Sequence, residues 1–343
     1  IFLIIAVGVF YLNAENWVPT NNEGVKSFMP NGFTGVMSAV AGVFFAYIGF
    51  DALSVLSEET KNPEKTLPKG MIISLVLSTA IYIVLTLVLT GIVDYRKFEG
   101  IGDPLSFIFA PQNANIPWME FVVSVTAIVA ITTVLLVFQM GQPRIWMSMS
   151  RDGLMPKKFA EIHPKYKTPS FATIITGVAV GLPILFTDKT FILDFTSIGT
   201  IFAFVLVNGW ILLMPQKEKL EGRFHLPYIN AKYIFPVLFI GGLVAFYFWQ
   251  PEFFHNLWNI TDEHEGEFRL SIIIFLIINL ALVVLSYLKN LSLIPLLGLT
   301  SCLYLLTGMT HNNWFWFGLW FIIGLGIYFF YGKKNSKLNP ENM

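Results

Sequence analysis

Asp51 is a carboxylate in a costly place. It lies inside an apolar stretch, residues 34–56, whose centre falls near Phe45. A charged aspartate at the centre of a membrane helix costs roughly 2.5–3.5 kcal/mol on insertion scales, so its presence needs a reason. At about 1.5 Å per residue it stands about 9 Å from the midpoint, still within the hydrocarbon. Gly42 and Gly49 bracket that midpoint. Glycine weakens a helix by about 1 kcal/mol against alanine and accepts backbone angles that other residues avoid. A helix that opens here offers bare carbonyls to a cation and a half-helix N-terminus to an anion. One break then suits both charges of a zwitterion. The same residues also fit a plainer arrangement, in which the glycines admit a neighbouring helix and Asp51 bonds to it. Physics alone leaves the two readings level.

A second group lies in the stretch 118–143, which carries Ser124, Thr126, Thr132 and Thr133. Thr126 and Thr133 are seven apart and share a helical face. Hydroxyls on a cavity wall can touch a substrate or an ion. Hydroxyls bonded to their own i−4 carbonyl are the commoner arrangement in membrane helices. The segments 57–69 and 141–156 each set carboxylates beside bases. These charges can pair to hold one state, or be ordinary loop charges worth under about 1 kcal/mol each. Their prolines (Pro63, Pro68, Pro143 and Pro156) are expected to end helices.

Other chemistry is missing from the sequence. There is no GxSxG, HExxH, phosphate-binding glycine loop or paired CxxC. His163, His225, His255, His264 and His311 fall in loops or at span ends without metal-ligand spacing. The single cysteine, Cys302, cannot form an intrachain disulfide. No catalytic residue, metal or cofactor is expected, and the chain reads as something other than an enzyme.

The elements that must position these residues are membrane helices. Of 343 residues, 55% are hydrophobic and 13% charged, about half the charge of an average soluble domain. Apolar spans are expected at 34–56, 70–92, 118–143, 170–186, 191–214, 233–249, 270–288, 291–308 and 314–331. The span 170–186 is short and reads as broken by Gly177, Gly181 and Pro183. Residues 1–12 are apolar but too short to cross, and are read as the end of a truncated helix. Trp118, Trp210, Trp249, Trp314 and Tyr331 fall near span ends, where amphipathic rings favour the interface. Counting Lys and Arg in alternate loops gives seventeen on one side and five on the other. That asymmetry places the C-terminus and the loops 57–69, 144–169 and 215–232 in the cytoplasm. The outer loop 250–269 is acidic, with Glu252, Asp262, Glu263, Glu265 and Glu267, and is read as a solvated run. Net charge is zero and no basic tract suggests nucleic acid.

Two long segments carry a family resemblance. FFAYIGFDALSVLSEETKNPEKTLPKGM (44–71) and GQPRIWMSMSRDGLMPKKFAEIHPKYKTPSFAT (141–173) closely resemble the amino acid–polyamine–organocation superfamily, and most nearly its cationic amino acid transporter branch. IPLLGLTSCLYLLTG (294–308) and FGLWFIIGLGIYFFYGKKNSKL (317–338) are similar to the same branch. The resemblance covers essentially the whole chain. It implies an all-α, LeuT-like inverted-repeat fold in a single membrane domain, 1–343, lacking its first four helices. Residues 1–12 would end the fifth helix and 34–56 would be the broken sixth. Spans 70–92, 118–143, 170–186 and 191–214 would be the seventh to tenth, and the last four spans the eleventh to fourteenth.

By the same resemblance, the carbonyls of Phe45, Ala46 and Ile48 match those that receive a substrate ammonium, and the Phe45 ring matches a gate. Gly49 and Asp51 belong to the break. The Thr132–Thr133 region matches the part of the eighth helix that faces the first. The implied function is secondary active transport of amino acids, with cationic ones the implied subclass, by alternating access in the plasma membrane. Protons are the implied coupling ion, with exchange as the other mode. The lipid bilayer and an amino-acid substrate are the partners; a fragment without the first helices should not transport. The alternative is a membrane sensor or channel-like protein that binds amino acids without coupled transport.

Overall fold

The computed structural model describes residues 1–20, 24–50, 53, 60–214, 227–249, 251 and 263–337. Among them the secondary structure is helical, and strand pairing is confined to two isolated bridges, Thr20 with Lys26 and Asn230 with Ser292. The described helices of seven or more residues are α1 (Phe2–Gly8), α2 (Gly32–Phe45), α3 (Pro63–Ile92), α4 (Pro117–Arg151) and α5 (Ser170–Ile184). They continue with α6 (Lys189–Leu213), α7 (Ala231–Trp249), α8 (Glu263–Leu288), α9 (Leu293–Thr307) and α10 (His311–Ile327). A π-helical turn, Tyr328–Gly332, follows α10.

Six helical segments among the described residues are long and apolar enough to cross a bilayer: Pro63–Ile92, Pro117–Arg151, Thr190–Leu213, Ala231–Trp249, Leu270–Leu288 and His311–Asn335. Their outward sides are apolar. On α4, Ile128, Val129 and Leu135 are each more than 60% exposed, a surface suited to lipid rather than water. The chain is an all-α, polytopic membrane protein. The spans expected at 34–56, 170–186 and 291–308 form shorter helices: α2 has 14 residues, and α5 and α9 have 15 each. At 1.5 Å per residue these rise about 21–23 Å, against a hydrocarbon core of about 30 Å.

Prolines behave differently from the expectation. Pro63 begins α3 at its first position, where its missing N–H has no partner to lose. Pro68 lies inside α3 and Pro143 inside α4, so neither ends its helix. The Pro143 ring is buried, and its packing offsets one missing i→i−4 bond. Both helices thus extend past their apolar limits, α3 upstream of 70 and α4 downstream of 143. Likewise α5 runs unbroken through Gly177, Gly181 and Pro183 to Ile184. Proline as the second-last helical residue costs one bond at a frayed end.

The chain divides into two compact units. Residues 1–37, 49–183 and 331–343 form one; residues 38–48 and 184–330 form the other. In the first, α1 packs along α3, and a core gathers Ile4, Leu85, Val93, Ile108, Phe109 and Met119. The segment after α1 is sewn to the end of α3: Asn16 Nδ2 donates to the Gly91 carbonyl at 2.8 Å, and Trp17 Nε1 to that of Leu87 at 3.0 Å.

In the second unit α6 packs against α9 and α10 through Ile198, Ile201, Cys302, Leu306 and Phe317. A further core joins α7, α8 and α9 through Phe235, Leu282, Leu296 and Leu299. Polar pairs pin this second unit. Thr300 Oγ1 on α9 donates to Asn279 Oδ1 on α8 at 2.8 Å, and Asn279 is fully buried. Asn313 Nδ2 on α10 donates to Asp194 Oδ2 on α6 at 3.0 Å.

Candidate functional site

The site begins where α2 stops. Its last residue, Phe45, is followed by a turn over residues 46–50. There the bonding changes from i→i−4 to i→i−3: Ala46 N–H donates to the Val43 carbonyl, Tyr47 N–H to Phe44 and Ile48 N–H to Phe45, at 3.0–3.1 Å. Tighter bonding of this kind closes a helix end. Gly49 then takes φ +127, a backbone setting that side-chain-bearing residues rarely reach. Of the two bracketing glycines, Gly49 therefore makes the break. Gly42 stays inside α2, and a Cβ there would meet nothing within 4 Å among the described residues.

Each side of the turn is anchored within its own unit. In the unit that holds residues 38–48, the Phe44 ring meets Phe204 of α6 edge-on at 6.2 Å and joins the α6–α9–α10 core. That contact fixes the end of α2 and leaves Phe45 37% exposed. In the other unit Gly49 lies beside α4, where a Cβ would come 3.9 Å from Phe138 Cζ. Phe138 was not singled out by sequence reasoning, because one phenylalanine among 33 carries no signal of its own.

Thr132 and Thr133 lie on α4 with exposed side chains. Their hydroxyls donate to the carbonyls of Ile128 and Val129 at 2.8 and 2.9 Å, as Thr126 does to Val122 at 2.7 Å. Each hydroxyl is engaged as a donor with its own i−4 carbonyl. Its oxygen keeps acceptor capacity. Thr132 shares a helical face with Gln139, whose Nε2 donates to the Thr173 carbonyl of α5 at 3.0 Å.

Asp51 lies outside the described residues, as do Ser57, Glu58 and Glu59 of the 57–69 segment and Glu252 and Asp262 of the acidic loop. Sequence reasoning passed over Asp194, because it stands near the end of its apolar stretch. The structure places it on α6, half-buried and paired with Asn313. Among the described residues no group of three His, Cys, Asp or Glu could hold a metal ion.

Known proteins match this chain along its length. The model of the family described as "Amino acid permease" matches residues 1–261, and that described as "C-terminus of AA_permease" matches residues 291–336. The branched-chain amino acid permease BcaP of Bacillus subtilis (strain 168) is 33% identical over 340 residues, which are 99% of this chain and 58% of that protein. The methylthioribose transporter of the same organism is 31% identical over 342 residues, with 99% of this chain and 58% of that protein covered. Cationic amino acid transporter 4 of Homo sapiens is 28% identical over 401 residues, covering 100% of this chain and 62% of that one. The chain thus spans about six-tenths of the length of these relatives, which are permeases and transporters and not enzymes. The family models, with the run of apolar helices, place this chain in the amino acid permease family of the amino acid–polyamine–organocation superfamily.

Proposed function

We propose that the protein moves amino acids across the plasma membrane as a secondary transporter, by alternating access. The observation that carries this reading is the end of α2 at Phe45, with its i→i−3 turn and left-handed Gly49. Such a turn departs from regular i→i−4 helical bonding, and at membrane depth irregular backbone is tolerated where it is buried in protein or lines a cavity. The carbonyls of Phe45, Ala46 and Ile48 receive the substrate ammonium. That of Phe45 already accepts from Ile48 N–H at 3.1 Å, and a carbonyl has a second lone pair to give. The Phe45 ring gates the site, Gly49 supplies the turn, Asp51 braces or titrates beside it, and Thr132 and Thr133 lend hydroxyl oxygens from α4.

In this reading 34–56 is the broken sixth helix of a five-plus-five inverted repeat, 1–12 ends the fifth, and the later helices run to the fourteenth. The C-terminus is cytoplasmic, supported by the seventeen-to-five division of Lys and Arg. Coupling is to protons or by exchange. The cationic subclass rests on the sequence resemblance. The relatives' names include a branched-chain amino acid permease and a methylthioribose transporter, so lysine, leucine and methylthioribose belong in one assay.

The test is uptake of these radiolabelled compounds into liposomes carrying the protein expressed from its complete reading frame. Saturable amino-acid uptake that is lost in Phe45→Ala supports the reading; wild-type uptake in that variant overturns the site. Amino-acid binding with neither uptake nor counterflow assigns a sensor instead.

A further inference from the structure

We propose that the cavity at the loop end of α4 binds the phosphate of an anionic phospholipid. It has a volume of about 770 Å³ and is walled by the last turns of α4, the loop after it and the start of α5. Among the described residues three cations line it, Arg144, Arg151 and Lys167, against one carboxylate, Asp152. Arg144 and Arg151 stand seven residues apart on one face of α4. Both make contacts of their own within the protein. A guanidinium has five N–H donors in a fork that matches phosphate, so serving one protein group does not exhaust it.

The cavity is held in shape before any ligand arrives. Lys167 is held at φ +56, a left-handed setting uncommon outside glycine. The turn that holds it is closed by Lys167 N–H to the His163 carbonyl and His163 N–H to the Thr168 carbonyl, both 2.9 Å. His163 Nδ1 accepts from Lys165 N–H at 3.2 Å. Asp152 is pinned from outside, where its carbonyl accepts from Lys337 N–H at 3.1 Å. Ser150 Oγ donates to the Pro156 carbonyl at 2.7 Å.

The chemistry selects the source of the phosphate. The volume far exceeds that of a lone ion, and Met140 and Ile162 give the lining an apolar side. A headgroup with its glycerol and the first acyl carbons satisfies both sides. Basic pockets between membrane helices on the cytoplasmic side bind such headgroups. The inference is independent of what the protein transports.

The test is native mass spectrometry of the delipidated protein, titrated with phosphatidylglycerol, with phosphatidylcholine, and with inorganic phosphate alone. Phosphatidylglycerol should be retained in preference to phosphatidylcholine. The double variant Arg151→Gln, Lys167→Gln should weaken its binding roughly tenfold or more, from two lost surface cations. Asp152→Asn removes a lining carboxylate and should strengthen binding, a change that misfolding would not produce. Equal retention of both lipids overturns the proposal. So does phosphatidylglycerol binding that none of the variants changes. Inorganic phosphate that binds as tightly as the lipid overturns the lipid source.

Discussion

Gly298 of α9 lies against Asn208 of α6, and an alanine there has to displace that side chain. A Cβ on Gly298 would stand 2.8 Å from Asn208 Oδ1, 3.2 Å from Cγ and 3.3 Å from Nδ2. Asn208 cannot yield freely, because its Nδ2 donates to the Phe204 carbonyl at 2.8 Å. Overpacking of one methyl against a held group costs about 1–3 kcal/mol. Replacing glycine by alanine within a helix returns about 1 kcal/mol. Gly298→Ala should therefore destabilise the protein by about 1 kcal/mol. In an Asn208→Ala background the obstacle is gone, and the same change should stabilise by up to about 1 kcal/mol. The coupling between the two sites is then about 2 kcal/mol, with a reversal of sign. Equilibrium unfolding of the four proteins of this double-mutant cycle, in one detergent, measures it. If Gly298→Ala has the same effect in both backgrounds to within about 0.5 kcal/mol, the close approach of α6 and α9 described here is wrong.

Asp94 offers a pH test outside the membrane helices. Arg96 Nε donates to its Oδ1 at 2.9 Å and Arg96 N–H to the same oxygen at 3.0 Å. The Arg96 side chain, first among the causes, holds the Asp94 carboxyl below its ordinary value. A lowered value means the bonded turn is stabilised above the ordinary aspartate range and loses that support as pH falls through the lowered value. Protection of the Arg96 amide against exchange, relative to its intrinsic rate, should therefore hold through the ordinary aspartate range and fall as pH drops through the lowered value, and Asp94→Asn should abolish the step. At the threonines, Thr132→Val and Thr133→Val each delete a hydroxyl bonded to its own helix. Stability should fall by no more than about 0.6 kcal/mol, the average for side-chain bonds in membrane helices. Uptake should show a raised KM in these two variants and an unchanged one in Thr126→Val. Equal KM in all three removes Thr132 and Thr133 from the site.

What was legible in the sequence followed from energies large enough to write themselves into composition. A bilayer demands long apolar runs, and the helices α3, α4, α6, α7, α8 and α10 carry them. Helix ends were less legible, because hydropathy marks the membrane and not the helix. Pro68 and Pro143 lie in stretches whose polarity suggests loops, yet the helices continue through them. The break near Phe45 was suggested by two glycines, and only backbone geometry separates Gly49 from Gly42. Phe138 beside Gly49, and the Asp194–Asn313 bond across 119 positions, depend on tertiary packing that no local pattern records.

The central claim is that the chain opens after Phe45 and meets an amino acid there. Cys302 is the single cysteine and is buried, so a Cys302→Ala background accepts one reporter thiol at a time at positions 45, 46, 48 and 42. In the protein expressed from its complete reading frame, thiols at 45, 46 and 48 should react with a water-soluble reagent, and saturating amino acid should slow all three. The thiol at 42 should show no such protection. Reactivity at 45, 46 and 48 that amino acid leaves unchanged, or that is absent, would contradict the account.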